Sequence, residues 1–393
     1  MRRRRMTAAL ALLAALAAIL VILAVAVARP AGTAGVARAM TLDGNPVALA
    51  LDSRTGRAFV ALAGAGSGAH GRVFVLDSKT GALWRTITVG HALSALAVDE
   101  RAGRVFVADD LDPAGSYSGR AGALYAIDER GGRVDHVLTL DARASALALD
   151  GRTGHVLTVT RDSAAGGASF GGGVAVRDAA TGTILHSGVA GMFPTAIAVD
   201  AGTARAFVSN LLSNSVSVLD AGTARTLGTV TLGPPPGRVA AVAVDARTRR
   251  VFALSLPPLI AGGPQPARGS VAMIDVATGR LLRQMAVRNP SALAVDARNG
   301  HLIVGARDSL LVLDGATGRQ LRTIAVPGAA PQALAVDART GHAVLTRWSS
   351  AVRDADPWGW LPGPLRGALP FIPAPPQRFH DAPASVSVLD LTR

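Results

Sequence analysis

The stretch PTAIAVD, residues 194–200, followed by the turn AGTA, residues 201–204, contains the pattern that decides the fold. Its core, A-[LIV]-A-[LV]-D, occurs seven times at intervals of 41 to 51 residues. The seven copies end at Asp52, Asp99, Asp150, Asp200, Asp245, Asp296 and Asp337. Repeats of this length are typical of chains built from stacked supersecondary units.

A second motif, apolar-x-apolar-x-Asp, follows each copy and usually precedes Thr-Gly. It ends at Asp77, Asp128, Asp178, Asp220, Asp275, Asp314 and Asp390. Apolar residues at both alternating positions predict strands that are covered on both faces. Asp followed by Gly or Thr predicts a tight turn after each strand. Two motifs alternating seven times predict an all-β fold, a seven-bladed β-propeller of four-stranded antiparallel blades.

The two ends of the chain predict how the ring closes. The last unit stops at its third strand, residues 386–390, and lacks a fourth. An extra strand, residues 36–42, precedes the first unit. We expect this N-terminal strand to complete the seventh blade, because closure removes two exposed strand edges. The propeller then spans residues 36–393, with a long insertion at 347–383.

The N-terminus predicts an export or membrane element. Arg2 to Arg5 form a positive block, and residues 6–28 contain no charge. The length favours an uncleaved transmembrane helix within residues 1–28, and a cleaved signal sequence is the alternative. The arginines favour a cytoplasmic N-terminus. We therefore expect a short linker at 29–35 and a propeller outside the cytoplasm, membrane-anchored or, after cleavage, secreted.

One unit resembles a known repeat. Residues 207–210, FVSN, and 213–220, SNSVSVLD, are similar to the YVTN-type repeat of seven-bladed β-propellers, a family that includes bacterial exported and surface-layer-like proteins. The resemblance covers residues 36–393 and implies an extracytoplasmic bacterial propeller of the WD40-like kind. Other copies of the tetrapeptide, such as FVAL at 59–62, keep the strand and lose the asparagine.

Composition narrows the class of partner. The formal net charge is +13 over 393 residues, but six arginines precede the first acid, Asp43. The remaining arginines are spread over turns and loops, without a basic stripe or an aromatic platform, so we expect no nucleic-acid partner. The absence of cysteine excludes a disulfide framework and a thiol nucleophile.

The loops between second and third strands vary in length, and variable loops on a rigid scaffold commonly carry function. The 347–383 insertion contains Trp348, Trp358 and Trp360, and aromatic residues are enriched at interfaces. We expect it to contact an unknown protein or small-molecule ligand. The alternative is that the insertion folds back and buries its own aromatic residues on the propeller.

Two further groups are candidates. Several polar residues lie just before inner strands: Asn45, Arg143, Arg238, Arg288 and Asn289. If they ring the channel mouth, the positive charge of the arginines suits an anionic ligand. The alternative is that they only solvate the loops. Three acids in one loop, Asp109, Asp110 and Asp112, offer oxygen ligands of the kind that Ca²⁺ takes. That loop lacks the EF-hand spacing, so we expect neither a metal nor a cofactor.

Two functions remain open. The first is a non-catalytic binding or scaffold module. The alternative is an enzyme or enzyme subunit of the lactonase or quinoprotein dehydrogenase type that uses the channel mouth, although fold does not transfer activity. The only glutamates, Glu100 and Glu129, fall in the Asp-led turns. They are therefore expected at the end of the ring opposite the variable loops, which disfavours a lactonase-type metal site.

Overall fold

The computed structural model describes residues 36–64, 69–111, 122–160, 171–233, 238–257, 268–328, 330–348, 350–353 and 379–392. Their strands form seven four-stranded antiparallel sheets and one separate two-stranded hairpin. Each sheet is one blade, and each repeated motif forms a strand at a fixed place in its blade. The predicted seven-bladed β-propeller is therefore confirmed.

The innermost strand of each blade contains the A-x-A-x-D motif. These strands are β2 (Pro46–Asp52), β6 (Leu93–Asp99), β10 (Ala144–Asp150), β14 (Pro194–Asp200), β18 (Arg238–Asp245), β22 (Pro290–Asp296) and β26 (Ala333–Val336). The second strands are β3 (Arg57–Leu62), β7 (Arg104–Asp109), β11 (His155–Thr160), β15 (Arg205–Asn210), β19 (Arg250–Leu256), β23 (His301–Ala306) and β27 (His342–Arg347).

The third strands contain the second motif. They are β4 (Arg72–Asp77), β8 (Gly122–Asp128), β12 (Gly171–Arg177), β16 (Ser215–Asp220), β20 (Arg268–Asp275), β24 (Ser309–Asp314) and β30 (Ser385–Asp390). The outer strands are β5 (Leu83–Thr88), β9 (Val134–Leu140), β13 (Ile184–Met192), β17 (Thr226–Thr231), β21 (Leu281–Arg288), β25 (Gln320–Ala325) and β1 (Val36–Thr41). The separate hairpin is β28 (Ser350–Arg353) with β29 (Phe379–Ala382).

The N-terminal strand closes the ring as predicted. β1 pairs antiparallel with β30, with Thr41 opposite Ser385 and Met40 opposite Val386. The seventh blade has the order β1-β30-β27-β26, so its outer strand comes from the other end of the sequence. Its inner strand β26 contacts β2 of blade 1 and β22 of blade 6. The blades therefore form one continuous ring.

Adjacent blades are held together by seven apolar clusters, one at each junction. Four of the second strands place a fully buried phenylalanine at the same repeat position: Phe59, Phe106, Phe207 and Phe252. Around them pack mainly valine, leucine, isoleucine and alanine. A core of branched aliphatic residues suits a sheet covered on both faces, because such side chains pack well on a pleated surface.

The propeller has two ends of different character. We call the end with the Asp-led turns the turn face, and the opposite end, with the loops between second and third strands, the loop face. In blade 1 the Gly56 N–H donates to the Asp52 carbonyl oxygen at 2.8 Å, and Gly56 has φ of 71°. In blade 4 the corresponding residue is Ala204, which also has a positive φ, of 53°. Glycine is favoured here because it enters this region without a steric cost.

The turn face links blades through arginine and aspartate. Asp296 is buried and accepts hydrogen bonds from Arg298 Nε at 3.0 Å and Nη2 at 2.8 Å. Arg298 Nη1 also donates to the Thr340 carbonyl oxygen of the next blade at 3.1 Å. Burial raises the pKa of Asp296, but the hydrogen bonds from Arg298 outweigh it and hold that pKa below its ordinary value.

Both glutamates of the chain lie on the turn face, as expected, and both lie near Asp52. Glu129 is almost fully buried; its Oε1 accepts from Thr55 Oγ1 at 2.5 Å and from Arg57 Nη1 at 3.4 Å. Glu100 Oε1 accepts from the backbone N–H of Ser53 at 3.2 Å. Burial raises the pKa of Glu129, and the neighbouring Asp52 raises it further.

Two predicted segments fall outside the described residues. The apolar stretch 6–28 is one of them, and most of the 347–383 insertion is the other. Among the described residues, which begin at Val36, no helix is long and apolar enough to span a bilayer.

Candidate binding surface on the loop face

The residues predicted at the channel mouth all lie on the loop face. Asn45, Arg143 and Asn289 directly precede the inner strands β2, β10 and β22, and Arg238 is the first residue of β18. Arg288 ends the outer strand of blade 5 and directly precedes Asn289. Arg143, Arg238 and Asn289 are half-buried, whereas Asn45 and Arg288 are exposed. The inner strands therefore bring equivalent polar positions of four blades to one end of the ring.

Blade 5 presents three arginines at its loop-face end. Arg238 begins β18, Arg268 begins β20 and Arg288 ends β21. Arg268 and Arg288 are direct cross-strand partners. Within the part of the chain that the structure describes, none of the three forms an ion pair with an acid. The sequence had indicated Arg238 and Arg288; Arg268 was missed, because its opposition to Arg288 follows from strand register.

Two of the three acids considered as weak calcium ligands form hydrogen bonds within the protein. Asp109 is fully buried and its carboxylate accepts from the backbone N–H groups of His91 at 2.6 Å, Ala92 at 3.0 Å and Leu111 at 2.9 Å. Asp110 donates its own N–H to the Ala92 carbonyl oxygen, and Asp112 lies outside the described residues. Among described residues no three acidic or histidine side chains form a group suited to a metal.

The insertion begins one residue later than expected. Arg347 is the last residue of β27, where it is buried and donates from Nη1 to Ser387 Oγ at 3.2 Å. Burial lowers the pKa of Arg347. Trp348 follows and is 47 % exposed. Trp358 and Trp360 lie outside the described residues.

A row of side-chain donors links neighbouring blades near the loop face. Each donor bonds a backbone carbonyl oxygen within the first three residues of the next inner strand. Ser94 Oγ donates to Ala144 at 2.9 Å, Ser145 Oγ to Pro194 at 3.0 Å, and Thr195 Oγ1 to Ala240 at 3.2 Å. Trp348 Nε1 makes the corresponding bond to Pro46 at 2.7 Å, from blade 7 to blade 1. Sequence reasoning missed this row; serine or threonine repeated at the second position of the inner strands was its signal.

The asparagine of the YVTN-like stretch has a structural role in blade 4. Asn210 is fully buried, and its Oδ1 accepts from the backbone N–H of Gly191 at 2.9 Å. Its Nδ2 donates to Ser215 Oγ at 3.1 Å and to Ser217 Oγ at 3.0 Å. This amide therefore ties the outer strand of blade 3 to blade 4, and it is not available to a ligand.

Comparison with known proteins supports the fold alone. No family model matches the chain, and no curated protein matches it in sequence. Among solved structures, the crystal structure of the Cps50 (Swd1) β-propeller domain from Myceliophteria thermophila is similar, with a TM-score of 0.57 and 10 % sequence identity. The match covers 79 % of this chain and 95 % of that domain.

The class of protein is thus a seven-bladed β-propeller with a WD40-like fold. In all, 1539 solved chains match it in structure, so the fold is shared by many proteins and does not by itself specify a function.

Proposed function

We propose that this chain is a non-catalytic binding or scaffold module whose ligand contacts the loop face. One observation carries the proposal: at the loop-face end of blade 5, Arg268 and Arg288 are direct cross-strand partners near Arg238, and none of the three forms an ion pair with a described acid. An interaction surface needs groups that the fold itself does not use. Variable loops on a rigid ring supply such groups.

The proposal assigns recognition to the 347–383 insertion together with the loop-face arginines. Trp358→Ala and Trp360→Ala should each weaken partner binding by about 2 kcal/mol, or roughly 30-fold, as aromatic hot spots do. The matched control is Trp84→Ala. Trp84 is 49 % exposed, like Trp348, but it is the second residue of the outer strand of blade 1 and therefore lies near the turn face.

The assay is quantitative affinity purification of crosslinked partners from cells that make the full chain. We expect recovery of the same partner with wild type and Trp84→Ala, and its loss with the Trp358→Ala, Trp360→Ala double variant. Equal recovery with the loop-face and turn-face variants would show that recognition does not use the insertion.

We further propose that residues 1–28 anchor the propeller outside the cytoplasm, consistent with the resemblance to exported YVTN-type propellers. The uncharged stretch 6–28 after four arginines supports this orientation. The full chain should stay with membranes after alkaline extraction. A mature N-terminus near residue 29 or 35 would instead establish secretion.

A further inference from the structure

We propose that the loop-face end of blade 5 binds a phosphate dianion, with Arg268 and Arg288 as paired ligands. This inference rests on the proposed function, in that it assumes the loop face is the binding face. It adds the chemical class of ligand and the residues that hold it.

The register of the blade places two arginines directly opposite each other. Arg268 of β20 is directly opposite Arg288 of β21. Directly opposed residues of an antiparallel pair have Cβ atoms about 5 Å apart, and like charges there destabilise the sheet. Both side chains are exposed, so a solvent-borne ligand reaches them. An oxyanion between them would replace this repulsion with two charge-assisted contacts.

No acid of the described part of blade 5 lies at this end of the sheet. The sequence contains no Asp or Glu from 246 to 274 or from 276 to 295, and Asp245 and Asp275 both lie on the turn face. At that opposite end of blade 5, Arg250 Nη1 lies 3.1 Å from Asp275 Oδ2. Arg250 is thus paired with an acid at the turn-face end of this sheet, whereas Arg268 and Arg288 form no ion pair with a described acid at the loop-face end.

Arg238 lies at the same end of the blade but on the other face of the sheet. Arg238 begins β18, which is separated from β20 only by β19 in the blade order. Neighbouring strands lie about 4.8 Å apart, so the backbone of Arg238 is roughly 10 Å from that of Arg268. Arg238 pairs with Leu256, and Ser255 pairs with Ser270, so Arg238 stands one residue out of step with Arg268 and its side chain leaves the opposite face of the sheet. Arg238 is therefore not a ligand of the Arg268 and Arg288 site.

The charge and geometry favour phosphate. Two adjacent guanidinium groups match a dianion, whereas a single carboxylate leaves one positive charge in excess. The planar guanidinium fork presents paired N–H donors that suit phosphate oxygens. The phosphate has two sources, free inorganic phosphate or a phosphate monoester of a larger molecule, and the same contacts serve both.

The test is titration calorimetry of the detergent-solubilised full chain with inorganic phosphate and with methyl phosphate, at constant ionic strength. Arg268→Gln with Arg288→Gln should weaken phosphate binding at least tenfold, whereas Arg238→Gln, on the other face of the sheet, should weaken it less than twofold. Arg280→Gln, an exposed arginine at the turn-face end of the same blade, is the matched control and should bind as wild type does.

Methyl phosphate should bind more tightly as the pH rises from 5 to 7, because its second ionisation has a pKa of about 6. Equal binding of both probes supports a monoester ligand, and binding of inorganic phosphate alone supports the free ion. The double variant should melt no lower than wild type, which excludes unfolding as the cause of lost binding.

Three outcomes would overturn the inference. The first is the absence of a saturable binding heat when phosphate is titrated. The others are an equal loss of phosphate affinity in Arg280→Gln and in the double variant, or much tighter binding of single-stranded DNA than of either probe. The proposed function fails separately. If phosphate does not bind while the Trp358→Ala, Trp360→Ala variant still loses its partner, only the phosphate site is wrong. If phosphate binds but the Trp358→Ala, Trp360→Ala variant recovers its partner as wild type does, the assignment of recognition to the insertion is wrong.

Discussion

Arg298 on the turn face and the Arg268 and Arg288 pair on the loop face use their charges in opposite ways. On the turn face, Arg298 bonds Asp296 and reaches the next blade, so its charge is part of the structure. On the loop face, Arg268 and Arg288 oppose each other across a sheet without an ion pair to any described acid. A repeat can therefore place the same residue type in a scaffold role at one end and leave it for a ligand at the other.

The largest difference between the ends should come from removing an acid. Asp296→Ala should cost about 3 kcal/mol, because it leaves the Arg298 guanidinium without its buried partner. On the loop face, Asp308→Ala should cost less than about 0.5 kcal/mol, since its side chain is 58 % exposed and lies 3.8 Å from Arg307. Urea denaturation at pH 7 measures both. Similar losses would remove the distinction between the two ends.

Neutralising an arginine should have opposite signs at the two ends. Arg298→Gln should destabilise by about 1–2 kcal/mol, since it removes charged hydrogen bonds to a buried carboxylate. Arg288→Gln should stabilise by about 0.2–0.5 kcal/mol in phosphate-free buffer, because it relieves the like-charge pair with Arg268. A loss of stability in Arg288→Gln would mean that its guanidinium has a structural role.

Trp348 tests whether a loop-face residue contributes to ring closure. Trp348→Phe keeps an aromatic ring but removes the N–H that bonds the Pro46 carbonyl oxygen, so it should cost about 1 kcal/mol. Trp84→Phe should cost less, because the Arg57 guanidinium that lies 3.9 Å from the Trp84 ring can stack on phenylalanine as well. Thermal denaturation of the two variants should rank them in this order.

The smallest expected effect is the pH dependence of stability that comes from Glu129 on the turn face. Because the pKa of Glu129 is raised, the folded protein holds that proton more tightly than the unfolded chain, whose glutamates titrate at about 4.3. Its favourable contribution is complete below that pH and is lost as the pH rises through the folded pKa. Glu129→Gln keeps the acceptor for Thr55 and removes the titration.

The stability of Glu129→Gln should therefore match that of wild type near pH 4 and exceed it at pH 7. Denaturation midpoints measured across this range provide the comparison. Parallel profiles for the two proteins would mean that the burial of Glu129 imposes no charge penalty.

The strands were predictable from sequence because their signal is local. Small and large apolar residues alternate at period two, and an Asp-led turn ends each motif, so each copy specifies one strand and its limit. The closing pair β1 and β30 was predictable because blade 7 otherwise lacked a strand, and the register from Met40 opposite Val386 confirms it.

The contacts between blades were not predictable from those motifs. The approach of Glu129 to Asp52 and the bond from Trp348 to Pro46 join residues far apart in the sequence. Nothing in the local pattern encodes which turn of one blade meets which turn of the next. The opposition of Arg268 and Arg288 is similar, since it depends on the length of the loops that set the register of blade 5.

The pairing of β1 with β30 has a consequence for the order of synthesis. The ribosome makes β1 before blade 1 and makes β30 only after blade 6. Thr41 therefore cannot pair with Ser385 until almost the whole propeller has been synthesised. At about 5–20 residues per second this interval is roughly tens of seconds. Until then the open flanks of blades 1 and 6 expose strand edges and apolar surface to other nascent chains. Substitutions in β1 should therefore lower the yield of folded protein before they alter any ligand affinity.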